Sequence, residues 1–295
     1  MGGFFVWGGA SAHVSFAAMA ASPPAKSTSA ARNERFAVLR KAKRVWAVSS
    51  IHGADEKLGR LHEALAERWQ TGDRLVYLGN WLGRGPGIAA AIDEMLRMRR
   101  EIIALPGFFA ADVVFLRGMQ EEMLQKCLQL HFAVNPGEVF SWMLDQGLAA
   151  TLEAYGADIR AGLVAAREGA TALARWTGLV RRGLDAKPGH RELTLAMRRA
   201  ATDEIGKRLF VSAGLDFDRP LEAQGDALWW GGRGFDKRDT AFESYARIVR
   251  GYAPTHPGSA AGPFTLTLDG GCGFGGPLLA ASIGPEGEIL ETIEA

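Results

Sequence analysis

Three side chains with the chemistry to handle a phosphate or a metal stand where short apolar runs give way to loops: His52, Asn80 and Arg84. An imidazole can ligate a metal or carry a proton, a carboxamide offers one carbonyl oxygen, and a guanidinium fork matches two oxygens of a phosphate or carboxylate. Glu121 and Glu122 are candidate acids, but in the first turn of an expected helix they read more simply as charges that favour the helix dipole. A second imidazole, His256, lies between Thr255 and Pro257. Gly270 to Gly276 is glycine-rich but lacks both the Gly-x-Gly-x-x-Gly spacing and a following helix, which argues against a dinucleotide cradle. The pairs Arg99-Arg100, Arg181-Arg182 and Arg198-Arg199 read as solvated helix faces. The two cysteines, Cys127 and Cys272, are too few for a disulfide scaffold or a thiolate metal cluster, so a cytoplasmic protein is expected.

Such residues need a scaffold, and 295 residues, 47% of them hydrophobic, suffice for one large core. Lys and Arg number 34 against 33 Asp and Glu, so no diffuse field draws the chain to nucleic acid or anionic lipid, and neither is an expected partner. No run of 18 uncharged apolar residues suggests a membrane span. Residues 1–40 read as a flexible leader. Their apolar stretch has no Lys or Arg before it, which makes secretion only a minor alternative, and the folded domain is expected from about Lys41 to Ala295.

Within that domain, short apolar runs alternate with amphipathic stretches, the pattern of an α/β protein. Val45 to Val48, Arg74 to Leu78 and Glu101 to Leu105 read as strands, with helices at Leu58 to Trp69 and Ile88 to Met98 between them. Phe109 to Arg117 has no firm assignment. Glu121 to Phe132, Phe140 to Leu144, Leu148 to Tyr155, Ile159 to Arg182 and Arg191 to Ile205 read as helical, giving a helical insertion at about 158–208. Strands return at Arg208 to Val211, Ser244 to Val249, Phe264 to Leu268 and Leu278 to Ile283, so two packed sheets are expected.

The loops carry motifs in a recognisable order: Val48-Ser-Ser-Ile-His-Gly53, Leu78-Gly-Asn-Trp-Leu-Gly-Arg-Gly-Pro86 and Arg117-Gly-Met-Gln-Glu-Glu-Met-Leu124. Trp142 to Gly147, Thr151 to Gly156, Phe210-Val-Ser-Ala-Gly214, Val249-Arg-Gly-Tyr-Ala-Pro254 and Asp269 to Leu278 continue the series. Together they resemble the calcineurin-like metallophosphoesterases, and more narrowly the bacterial Ser/Thr protein phosphatase and diadenosine tetraphosphatase branch. The resemblance covers Lys41 to Ala295 and implies a two-sheet β-sandwich flanked by helices. It also implies a phosphoester hydrolase with two divalent metals (Mn, Fe or Zn) holding a nucleophilic water.

By that resemblance, six positions correspond to metal ligands, and only His52 keeps the family's residue. Ser50 and Asn80 replace aspartates, Asn80 at the bridging position; Met119 replaces an asparagine, and Ser212 and Tyr252 replace histidines. Gln120 stands for the protonating histidine and Gly83 for the aspartate that orients it. Arg84 matches the arginine that grips the substrate phosphate; its plainer role would be pairing with a carboxylate. Either Gly232 or Arg233 falls at a further arginine position after Trp229-Trp230, a pair that reads as core. Trp81 is a candidate to fill the vacated metal cavity, and His256 a candidate to replace a lost ligand by a local shift.

Two divalent metals bring four positive charges. Ser50 and Asn80 offset none of them, and a thioether such as Met119 is too soft for Mn, Mg or Fe(III). The expectation is a catalytically impaired relative, a pseudophosphatase without a cofactor, binding a phosphorylated ligand or phosphoprotein, an active paralogue among the possible partners. The alternative is an active phosphoesterase with a rearranged ligand set drawn from His52, Asn80, Asp55, Asp216 and Asp218.

Overall fold

A computed structural model describes residues 35–295. The first sheet is built on β2 (Arg44–Val48), β3 (Asp73–Tyr77) and β4 (Val113–Phe115), which run parallel with register Trp46 to Leu75 and Leu75 to Val113. The crossovers are α1 (Asp55–Ala66) and α2 (Ile88–Ala104). Strands β10 (Leu279–Ile283) and β11 (Ile289–Glu294) complete this sheet antiparallel on the β2 side, in the order β11-β10-β2-β3-β4. The second sheet holds β1 (Phe36–Leu39), β5 (Ala200–Asp203), β6 (Arg208–Val211), β7 (Arg247–Arg250), β8 (Gly258–Ala261) and β9 (Thr265–Asp269), ordered β1-β5-β6-β7-β9-β8.

Alternation along the strands builds the layers. Val45 and Ala47 of β2 and Val76 of β3 face the second sheet and pack with Phe210, Val249 and Leu266. Trp46, Val48, Leu75 and Tyr77 point the other way, onto the apolar stripes of α1 and α2. The outer face of the second sheet is covered by Trp229 and Phe235, with Leu209, Val211 and Ile248 beneath them. The α/β two-sheet sandwich flanked by helices is therefore the observed architecture. No helix among the described residues is long and apolar enough to cross a membrane.

Several boundaries differ from the sequence reading. Glu101 to Leu105 is not a strand. The stripe Ile88, Ile92, Met95, Met98 and Ile102 keeps helical spacing through to Ala104, and the third parallel strand is β4, inside the stretch that had no firm assignment. Phe36 to Leu39, placed in the leader, pairs parallel with β5, so the ordered body starts before Lys41; the rest of the expected leader, residues 1–34, lies outside the described residues. The helical insertion is shorter than expected. It comprises α6 (Ile159–Glu168), α7 (Ala170–Asp185) and α8 (His190–Ala196), following α3 (Met119–Cys127), α4 (Pro136–Met143) and α5 (Ala149–Ala154). Gly169, at φ 107°, breaks the single long helix expected from Ile159 to Arg182. Ala200 to Asp203, read as helical, is strand because it is held between β1 and β6.

Arg208 ties the two sheets together. Its guanidinium pairs with Asp203 at 2.7 Å and donates to the carbonyls of Ala42, Ile283 and Gly284, with both charged side chains buried. The carboxylate also accepts the Lys207 and Arg208 backbone N–H groups, so the buried pair is well satisfied.

Candidate functional site

The loops after β2, β3, β4, β6 and β7 meet at one end of the strands, the expected place for ligands in an open α/β sheet. They are locked to one another through the backbone. Asn80 O accepts from Ile51 N and His52 N, Gly251 O accepts from Ser50 N, and Ser212 O accepts from both Gly251 N and Tyr252 N. His52, Asn80 and His256 occupy the left-handed region at φ 51°, 52° and 45°, a conformation that residues other than glycine keep only when their surroundings impose it.

The structure brings four of the six ligand positions, Ser50, His52, Asn80 and Ser212, into a buried knot. Ser50 Oγ donates to Gly251 O at 2.9 Å and accepts from Asn80 Nδ2 at 3.3 Å, while Asn80 Oδ1 accepts from Gln120 N at 3.1 Å. Ser50, Asn80 and Ser212 are essentially inaccessible, and Ser212 Oγ is wedged where a Cβ on Gly79 or Gly118 would lie within 2.8 Å of it. Met119 joins the hydrophobic core with Met123 and Leu124. Tyr252, the sixth position, is half-buried with its ring 6.4 Å from that of His52. Burial raises its phenol pKa above the ordinary value, the Asp269 charge adds to that, and Arg84 opposes it.

The second-tier positions follow the same logic. At φ 117°, Gly83 donates its N–H to Thr151 Oγ1, and a Cβ there would meet Gln120 Cδ at 2.8 Å and His52 Nδ1 at 2.9 Å. The Gln120 side chain thus fills the place an aspartate would need; its Nε2 donates to Gln146 O, and its Oε1 has no hydrogen bond. His52 is buried with neither ring nitrogen hydrogen-bonded. Burial first, and the Arg84 charge second, lower its pKa to about 3; the Leu82 carbonyl opposes this without completing a hydrogen bond. A Cβ on Gly273 would lie 2.6 Å from His52 Cγ, so the glycine-rich segment is small because it packs on this ring.

A dinuclear metal centre does not fit this donor set. Its oxygens are neutral, Ser50 Oγ and Asn80 Oδ1 are engaged inside the protein, and the Met119 thioether lies in the core. The rearranged set is not assembled either. Asp216 pairs with Arg219 and accepts from Asp218 N on the loop after β6, Asp55 lies against Gly87, and among the described residues no three His, Cys, Asp or Glu side chains gather to hold a metal.

Arg84 stays beside the knot. Its guanidinium lies 4.4 Å over the Phe274 ring, its Nε is buried without a partner, and it pairs with no carboxylate among the described residues. The carboxylate pairing considered from sequence is therefore absent there. Gly232 is the position that must stay small, since a Cβ would fall 1.7 Å from Leu215 O, and Arg233 is exposed beside Asp216 and Arg238 rather than in the cleft. Trp81 donates to Leu116 O and packs in the main core, and Trp229 packs in the outer one; only the second placement matches the sequence reading.

Three features escaped the sequence. Glu121 is more than a dipole charge: its buried carboxylate accepts from Asn80 N and Gly118 N at 2.8 Å and from Leu82 N at 2.9 Å, stapling two loops. Burial raises its pKa, and these backbone donors oppose the shift. A glutamate three residues after a helix N-cap, here Gly118, was the available signal. Phe274 as a platform and Asp269 as the partner of His256 both lie in the Asp269 to Leu278 motif, with no local pattern to mark their contacts.

No family model matches the sequence, and no curated protein sequence matches it. Solved structures do. One described as a provisionally assigned diadenosine tetraphosphatase superimposes with a TM-score of 0.56 at 17% identity, covering 89% of this chain and 98% of that one. A cold-active protein tyrosine phosphatase gives 0.49 at 13% identity over 88% and 82%, and a protein serine/threonine phosphatase from Saccharomyces cerevisiae gives 0.48 at 11% over 90% and 85%. At these identities the likeness is one of fold, and the first of them carries it. The stacked sheets, the loops gathered at one end of the strands and this likeness identify the fold as that of the calcineurin-like metallophosphoesterases.

Proposed function

We propose that this chain is a phosphatase-fold protein that has given up phosphoester hydrolysis and binds a phosphorylated ligand or phosphoprotein at Arg84, an active paralogue being one candidate partner. One observation carries the reading: Ser50 and Asn80, at the two aspartate positions, hydrogen-bond to each other and to the backbone, and no carboxylate stands at any of the six positions, which leaves neither a charged bridge nor a hard ligand set. A guanidinium without a carboxylate partner at the edge of that knot supports retained anion binding. Two free, buried cysteines support a cytoplasmic setting.

The test is titration of the full chain with inorganic phosphate and with phosphoserine, followed by calorimetry, for the native protein and Arg84→Ala. A charge-assisted hydrogen bond contributes roughly 1.5–3 kcal/mol, so the variant is expected to lose affinity on the order of ten- to a hundredfold. Equal affinities, or manganese-dependent turnover of p-nitrophenyl phosphate, would contradict the proposal.

A further inference from the structure

Beside Arg84 stands a pair that the metal-centred view of this fold does not use. His256 Nδ1 lies 2.9 Å from Asp269 Oδ2, and Asp269 is buried and fixed by two backbone donors, Ala253 N at 2.7 Å and Gly271 N at 3.0 Å. An imidazole whose Nδ1–H is donated to a carboxylate presents Nε2 to whatever lies in front of it, and no described residue bonds that atom. The ring packs on Phe274, centroids 4.3 Å apart, and the Arg84 guanidinium lies 4.4 Å from the same centroid. Arg84 and the His256 ring are thus no more than about 9 Å apart. Both groups rest on one aromatic ring, and that separation is within the reach of a single phosphoryl group hydrogen-bonded to each. Tyr252 borders both imidazoles, with its ring 5.8 Å from His256 and 6.4 Å from His52.

We infer that His256, positioned by Asp269, is the second contact of a metal-free phosphoryl-binding subsite whose first contact is Arg84. The ligand class is a terminal phosphomonoester. The guanidinium donates to two of its oxygens, and His256 Nε2 hydrogen-bonds the third, while Asp269, at Nδ1, fixes the orientation of the ring. No bond is made or broken, which suits a site built to hold rather than to cut. The left-handed backbone of His256, at φ 45°, is the local strain accepted to aim the ring. This inference rests on the binding function proposed above and adds the residues that would replace the metals' electrostatic role.

The test uses the full chain with inorganic phosphate, phosphoserine and adenosine monophosphate as probes, and compares native protein, Arg84→Ala, His256→Gln and Asp269→Asn after thermal melting confirms folding. The expected result is a roughly tenfold or greater loss of phosphate affinity in His256→Gln, a smaller loss in Asp269→Asn, and a phosphate-induced shift of the His256 Nε2 nitrogen resonance in the native protein. A purely structural histidine would lower the melting temperature without that shift. If native protein binds phosphate and Arg84→Ala loses it while His256→Gln binds normally, this inference falls and the Arg84 reading stands. If native protein binds none of the probes, both fall. Stronger binding of phosphoserine than of adenosine monophosphate supports a phosphoprotein source, and the reverse a nucleotide source, both within the inferred class.

Discussion

Replacing Glu121 by Ala is expected to cost on the order of 5 kcal/mol of folding stability, enough to threaten a domain whose total is about 5–15 kcal/mol. The Glu121 carboxylate accepts three backbone N–H groups, those of Asn80, Leu82 and Gly118, and is itself inaccessible. Each buried N–H left without a partner costs roughly 1–3 kcal/mol. Glu121→Gln should fall between the two proteins. It keeps one acceptor oxygen but places an NH2 group against at least one N–H donor. Urea unfolding of the three proteins reads the order directly. A loss below about 1 kcal/mol in Glu121→Ala would show that the loops hold their shape without the staple.

The second expected result is acid sensitivity traceable to His52. Its folded pKa is about 3 against 6.5 for an ordinary histidine, because the ring is buried with neither nitrogen bonded and Arg84 is close. Between those values the unfolded chain binds a proton at this residue and the folded chain does not. Stability therefore falls as pH drops from 6.5, by up to about 1.4 kcal/mol per pH unit. His52→Asn removes the titration and keeps a side chain that tolerates the left-handed region imposed at φ 51°. Comparing slopes of unfolding free energy between pH 6.5 and 4.5 cancels any constant cost of the substitution, and also cancels other buried groups such as His62, whose pKa burial likewise lowers. The native slope should exceed that of the variant by about 1 kcal/mol per unit. Parallel slopes would mean that His52 is hydrated or hydrogen-bonded in solution.

The motifs foretold the architecture because each marks a strand end followed by a tight loop, and the spacing of strand ends is a property of the fold. They were also enough to name the residues of the knot, since Ser50, His52, Asn80, Gln120 and Ser212 do converge. What escaped was decided by tertiary context. Strand β5 is Ala-Ala-Thr-Asp, with nothing in its composition to oppose a helix, and only its neighbours β1 and β6 make it a strand. Strand β8, Gly-Ser-Ala-Ala at the sheet edge, carries no large apolar residue to reveal a face. Strand β4 has three residues, too few for a period. The Glu121 staple and the His256–Asp269 pair join residues up to 41 positions apart, and local reading cannot see such contacts.

An aspartate in place of Asn80 would bury a carboxylate beside Ser50 and the Gln120 N–H, and no basic side chain hydrogen-bonds to that position. The knot consists of neutral groups, and His52, whose pKa burial lowers, belongs with them.

The central claim is that this site holds no catalytic metals. Elemental analysis of freshly purified, manganese-supplemented protein, read beside p-nitrophenyl phosphate turnover in the same preparation, tests it most directly. The account predicts no metal above background and no turnover. Two equivalents of metal per chain together with turnover would contradict it.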